Sequence, residues 1–151
     1  MTQRTADKKL LKCAYAAYNT QDLDGLLAVV SEDVDWPGGP STFRRLRGHA
    51  AVRAYWTEQW SQTRTHDEPV GYSWPDDGRD PGGGSGNADD RRGGEAVPGA
   101  HRVTVRIDQV VVRALDALVL DTGVYDHIHQ VKDGRIIRMD IYPEASPGCG
   151  W

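Results

Sequence analysis

Cysteine is scarce: Cys13 and Cys149, near opposite ends, are the only two in 151 residues. Two are too few for a disulfide framework and wrongly spaced for a zinc motif, so both are expected to be free thiols. Long apolar runs are missing as well. No stretch approaches the roughly 20 residues of a membrane span, and Met1 to Lys9 contain no signal-type apolar segment. A cytoplasmic protein with no membrane partner is therefore expected. Basic clusters are nearly absent too: Arg44, Arg45 and Arg47 form the only one, in a chain of net charge −4. Phosphate binding relies on clustered Lys and Arg, so nucleic acid is excluded as the main partner.

The 38% apolar content is enough for one core, and 151 residues is a single-domain length. The dilution is local. Residues 76–100 hold 8 of the 17 glycines, six acids against three arginines, and no apolar side chain beyond Ala88, Ala96, Val97 and Ala100. This composition is that of a surface insertion. Its Gly82-Gly83-Gly84-Ser85-Gly86 run lacks the Lys-Ser/Thr ending, preceding strand and following helix of a phosphate loop. A lid or partner-docking role for it stays open.

Around that insertion the apolar period changes along the chain. Leu10, Leu11, Ala14, Tyr15 and Tyr18 recur at helical spacing, and Asn19 to Asp22 break the pattern and offer a cap for a second helix through Leu23, Leu26 and Leu27. Asp33 to Trp36 read as a short strand stopped by Pro37-Gly38-Gly39-Pro40. Val52, Tyr55, Trp56, Gln59 and Trp60 mark a third helix with an aromatic face. Residues 65–75 are ambiguous, although Val70, Tyr72 and Trp74 alternate. After residue 100 the period is two: strands are expected to Val112, from Leu118 to Val131, and from Ile136 to Tyr142, the last pair joined by Asp133-Gly134. Helices first and an antiparallel meander last make an α+β order.

Asp126 is in register with Leu118, Leu120, Val124 and Ile128, and an acid on an apolar face is a candidate for acid chemistry. A buried Asp paired with a backbone group or an Arg is the equally simple alternative. His127 and His129 share the opposite face with Tyr125. With no third ligand evident, they read as a packed, interface or solvated surface and not as a metal site. Trp36, Tyr55, Trp56 and Trp60 fit either ordinary core packing or the wall of a ligand cavity.

In combination, Tyr18-Asn19-Thr20-Gln21-Asp22-Leu23-Asp24-Gly25-Leu26-Leu27, Ser31 to Trp36, Leu46-Arg47-Gly48 with Ala51 to Trp56, and Asp133-Gly134-Arg135-Ile136 with Arg138-Met139-Asp140 resemble the SnoaL-like polyketide cyclases and ketosteroid isomerases of the nuclear transport factor 2-like superfamily. The resemblance implies one domain of three helices packed on a strongly curved, mainly antiparallel sheet, an apolar pocket inside the cone, and a homodimer through the outer sheet face. It also implies isomerase, cyclase or hydratase chemistry on an apolar small molecule without a cofactor or metal, or else a non-catalytic binding module of the same fold. In the steroid isomerases a helix Tyr and a neutral strand Asp hold the oxyanion while a second Asp shuttles the proton, a system used as a worked example of pKa tuning. The matching positions here are Ala14 for the Tyr, Asp126 for the oxyanion acid, and Pro37, or a gap after Trp36, for the shuttle. Two departures in three argue against the same reaction. Tyr18, one turn beyond Ala14, and Asp35, beside Trp36, are the available replacements. The expected site is thus Asp126, Tyr18 and Asp35 as catalytic groups, with Ala14, Trp36, Tyr55, Trp56, Trp60 and Met139 as pocket wall. Alternation adds one constraint: if Trp36 points in, Asp35 points out.

Overall fold

The computed structural model describes residues 2–38, 45–75 and 97–143. Most of the glycine-rich insertion, 76–96, and Cys149 lie outside the described residues, as does any lid or docking role drawn from that segment.

Helix α1, Gln3–Asn19, is capped by Thr2, whose side chain accepts from the backbone of Thr5 at 3.1 Å. It buries Asp7, Leu11, Ala14, Tyr15 and Tyr18, a stripe at helical spacing that starts with an acid. Gln21 takes a positive φ of 57°, and Asp22 then caps α2, Leu23–Ala28, through Gly25 N at 3.0 Å. Gly25 is required by contact: an added Cβ would stand 2.5 Å from Asp22 Oδ2. Strand β1, Val30–Pro37, and the short β2, Arg45–Arg47, pair antiparallel and lead into α3, His49–Gln62.

No loop separates α3 from the next element. Thr63 is already extended, and β3 runs Thr63–Ser73, which settles the ambiguous segment as a strand. Pro69 fits there because β3 is an edge strand, where a missing N–H is tolerated. A register shift between Pro69 and Gly71 exchanges the two faces of the strand. Strands β4, His101–Arg113, β5, Val119–Lys132, and β6, Arg135–Pro143, complete a curved sheet of order β2-β1-β6-β5-β4-β3 among the described residues. Every pairing is antiparallel except β1 with β6. The β5–β6 hairpin turns through Asp133 and Gly134 at φ 54° and 77°, the left-handed pair that an Asp-Gly turn supplies.

The alternation expected of β4 is present. Val103, Val105 and Ile107 are fully buried, each contributing about 1.5–3 kcal/mol of hydrophobic stabilisation. They pack with Leu11, Leu26, Val34, Val52 and Ile136 where the three helices meet the inner sheet face. No helix among the described residues is long and apolar enough to cross a membrane.

The outer face is held by ion pairs. Arg106 grips Asp126 at 2.9 and 3.2 Å. Arg45 and Arg138 each bond both Asp35 and Asp140 at 2.7–3.1 Å. Two of the expected catalytic acids are therefore elsewhere. Asp126 is buried, but against Arg106 on the outer face, and Asp35 lies opposite Trp36 by the alternation already noted.

Candidate functional site

Between the helices and the inner sheet face lies a cavity of about 590 Å³ with a mainly apolar lining. Trp36 and Met139 form its sheet wall, and Ala14, Tyr18, Tyr55 and Trp56 its helical wall. These six expected residues are thus brought together. Trp60 is not among the lining residues. It packs behind them, 5.4 Å from the Tyr18 ring and 5.5 Å from the Trp56 ring, so that Tyr18 and the two tryptophans form one interlocked cluster. Tyr55 donates to Gly38 O at 2.8 Å and ties α3 to the end of β1. The Thr65 hydroxyl engages the Tyr18 phenol, and burial, with Asp67 second, raises that phenol well above its ordinary pKa.

Asp126 and Asp35 do not line this cavity. The inward reading of Asp126 rests on Leu118, Leu120, Val124 and Ile128 sharing its parity. Yet Leu118 and Leu120 sit at the exposed end of the β4–β5 hairpin, 51% and 48% accessible. Apolar character at a hairpin tip carries no information about which face meets the core. Turning that parity over also places His127 and His129: of the packed, interface and solvated readings, a packed inner face is the one observed. Both rings are 1% exposed and line the cavity together with Tyr125.

The two histidines meet on one atom. Tyr15 Oη lies 2.8 Å from His127 Nδ1 and 2.9 Å from His129 Nε2. The Tyr15 and His127 rings stack at 5.9 Å, and the His129 ring meets Tyr15 edge-on at 5.8 Å. Burial holds His127 down to about 3, against a smaller opposing effect of Asp126, and holds His129 well below the ordinary imidazole value. Burial, with Asp67 second, pushes the Tyr15 phenol well above its ordinary range. All three groups are neutral at physiological pH. The remaining ring nitrogens, His127 Nε2 and His129 Nδ1, are buried and have no hydrogen-bond partner among the described residues.

The buried carboxyl group lining this cavity is one that sequence reasoning passes over; Asp121, the other acid on the lining, is exposed. Asp67 is 4% exposed and lines the cavity from β3 beside Thr65. Its backbone is bracketed by the Asn19 amide, which donates to Asp67 O at 2.9 Å and accepts from Asp67 N at 2.8 Å. The last residue of α1 thus supplies the pairing that a neighbouring strand would give, and fixes the height of Asp67 against the helix. Asp67 Oδ1 accepts from Gln109 Nε2 at 2.9 Å. Burial raises its carboxyl from 3.8 to about 6, opposed by the Gln109 hydrogen bond and by His66. Tyr72 and Trp74 alternate visibly in the sequence, but the irregularity after Pro69 exchanges faces, so extending their alternation backwards places Asp67 outside. Its partnership with Gln109 needs the β3–β4 register, which no local pattern contains.

A cavity combining a buried carboxyl that titrates near 6, two neutral imidazoles and four phenols, those of Tyr15, Tyr18, Tyr55 and Tyr125, is equipped to move protons. Among the described residues no group of three or more His, Cys, Asp or Glu is arranged to hold a metal ion.

Comparison with known proteins agrees with the architecture. The model of the SnoaL-like domain matches residues 12–139. No curated protein is significantly similar in sequence. Similar solved structures include a protein of Xanthomonas campestris pv. campestris assigned provisionally as a polyketide cyclase, 20% identical over 95% of this chain and 93% of that one, with a TM-score of 0.65. A nuclear transport factor 2-like protein of unknown function from Burkholderia pseudomallei K96243 is 17% identical over 95% and 92%, at 0.63. An epoxide hydrolase of the LEH-like type from M. tuberculosis is 14% identical over 93% and 84%, also at 0.63. At these identities the likeness is one of fold.

Proposed function

The chain belongs to the SnoaL-like domain family, and we propose that it is a cofactor-independent acid–base catalyst, an isomerase, cyclase or hydratase, for an apolar small molecule held in the cone. The observation that carries this reading is Asp67: a carboxyl lining an apolar cavity, pinned at its backbone by Asn19, and raised to about 6. A general acid or base works best when its pKa lies near the operating pH. The proton-transfer role expected of Asp126 passes to Asp67, and Tyr18 keeps the role of a phenol that can hydrogen-bond a substrate oxygen. Trp36, Tyr55 and Trp56 supply the apolar walls.

The likeness to cyclases and an epoxide hydrolase supports the fold and leaves the reaction class to the site. Ala14 in place of the steroid isomerase Tyr speaks against that particular isomerisation. The same loss favours a second reading, a binding module without turnover. A homodimer across the outer sheet face belongs to the proposal and predicts sedimentation at twice 16.7 kDa.

The test is a screen of apolar polyketide-like, terpenoid and epoxide compounds, with binding followed by quenching of Trp36 and Trp56 and turnover followed by mass spectrometry. The proposal expects Asp67→Asn to bind the ligands found with little change while turnover falls by about 10²–10⁴-fold. A screen without saturable binding refutes the cavity reading, and binding with no turnover selects the passive module.

A further inference from the structure

Of the phenols that line the cavity, three are engaged within the protein. Tyr15 Oη lies between His127 and His129 at 2.8 and 2.9 Å. Tyr18 is engaged by Thr65, and its ring packs against Trp56 and Trp60. Tyr55 donates to Gly38 O at 2.8 Å and meets the Trp56 ring edge-on. Tyr125 has neither restraint: among the described residues its hydroxyl makes no hydrogen bond and its ring no aromatic contact. That hydroxyl is also within reach of a ligand, since unlike His127 Nε2 and His129 Nδ1 it is not one of the buried polar atoms without a partner. Burial falls off along the inner face of β5, from His129 and His127, each 1% exposed, through half-buried Tyr125 to exposed Asp121. Tyr125 therefore stands at the mouth of the cavity.

Gly123 sets where its phenol lies. Residues 121, 123 and 125 share one face by alternation, and Asp121 and Tyr125 line the cavity while Gly123 between them does not. The Tyr125 ring covers it: a Cβ at position 123 would stand 2.9 Å from Tyr125 Cε2 and 3.2 Å from Tyr125 Oη. The ring thus lies back along the strand over a place that glycine leaves vacant. Across the sheet Gly123 is opposite Gln109, and Gln109 is opposite Asp67. The phenol oxygen is therefore laid on the cross-strand row of Asp67, two strand spacings away, or roughly 10 Å between backbones.

We propose that Tyr125 is the specificity-determining residue of the cavity, its hydroxyl donating to a neutral oxygen acceptor on an otherwise apolar ligand, with Gly123 as the positioning residue that lays the phenol on the row of Asp67. The inference rests on the cavity being a small-molecule site, as proposed above, and adds how that site tells an oxygenated ligand from a hydrocarbon of the same shape.

The discrimination comes from the unpaired donor. A hydrocarbon that fills the cavity strips water from the Tyr125 O–H and returns no acceptor, whereas an ether or alcohol oxygen in the same place restores the hydrogen bond. The apolar body of the ligand then packs on Trp36 and Met139, and atoms within a few bonds of its oxygen come to the row of Asp67. Tyr125 in this way selects both the ligand and the part of it that meets the carboxyl.

Methoxycyclohexane and ethylcyclohexane test the proposal, because they have nearly the same shape and differ by an ether oxygen in place of a methylene. Headspace gas chromatography over solutions of the full chain reads the free concentration of each compound and hence its Kd. Tyr125→Phe is expected to weaken methoxycyclohexane about 5-fold relative to ethylcyclohexane. Gly123→Ala keeps the hydroxyl, and its Cβ meets only the far end of the Tyr125 side chain, so the ring moves and the strand stays. It should lose the same 5-fold preference with an unchanged circular dichroism spectrum. Equal changes for the two compounds in Tyr125→Phe, or no change in either, overturn the role of Tyr125. A Gly123→Ala chain that retains the full preference overturns the positioning. If neither compound binds the wild type, this ligand class is overturned, while the compound screen above still decides the small-molecule site.

Discussion

Replacing Asp67 by Asn should stabilise the folded protein at neutral pH while impairing its chemistry. The carboxyl is 4% exposed and raised from 3.8 to about 6 by burial, so the folded state resists its ionisation. A difference of about two pKa units corresponds to about 3 kcal/mol. The sign follows from proton binding. Above about pH 6 the group is ionised in both folded and unfolded chains, and the full penalty weighs on the folded state. As pH falls from 6 towards 3.8 the folded chain takes up its proton first, and the penalty fades. Below 3.8 both states are protonated and the penalty is gone. Asn is nearly isosteric, cannot ionise, and keeps an oxygen to accept from Gln109 Nε2. Urea unfolding of both proteins between pH 4 and 8 should therefore show the Asp67→Asn variant ahead by about 3 kcal/mol at pH 8 and level near pH 4. Subtracting the two curves removes every other titration they share. A variant less stable than the wild type at pH 8, or a difference that does not vary with pH, would refute the claim that this carboxyl is desolvated in the cavity.

The histidine pair makes the opposite contribution. His127 is held at about 3 by burial, so the stability it allows is complete above its ordinary value of 6.5 and is lost as pH falls from there towards 3. That loss is on the order of 5 kcal/mol, and a His127→Gln chain, if folded, should unfold less steeply in acid when followed by circular dichroism. Asp126→Asn loses a charge partner of Arg106, whose side chain is 43% exposed. It should cost about 1 kcal/mol or less and leave ligand affinity and turnover within about 2-fold in the binding assay, whereas a large loss of turnover would return Asp126 to the active groups. Gly25→Ala drives a Cβ against the Asp22 carboxylate and should lower stability by about 1–2 kcal/mol through the lost cap, read as a fall in the urea midpoint with an unchanged slope.

Much of the fold was legible because local patterns report it. The stripe of α1, the aromatic face of α3, the alternation of β4 and the Asp133-Gly134 turn each depend on residues within a few positions of one another. The same patterns group Ala14 with Tyr18 and Tyr55 with Trp56 on single helix faces, but they leave the direction of Trp36 open and do not separate core packing from the wall of a cavity. Trp60 shares the α3 stripe and still ends behind the wall, because a stripe defines a face and not the depth at which each side chain stops.

The scarcity of cysteine and of basic clusters keeps its meaning for chemistry. The sequence determined the inventory of carboxyls, imidazoles and phenols together with the α+β order of elements. Which of those groups share a site was decided by tertiary structure. Asp126 and His127 are adjacent in sequence and on opposite faces of one strand, and only docking of the sheet on the helices chooses the inner face. Asp67 enters the cavity because a strand irregularity exchanges its face and because Asn19, 48 positions earlier, completes its backbone pairing. Tyr15 reaches His127 and His129 across 112 and 114 positions. Such contacts depend on register and packing between distant segments, and burial then sets their protonation, so periodicity shows which residues can face inward and the fold decides which of them meet.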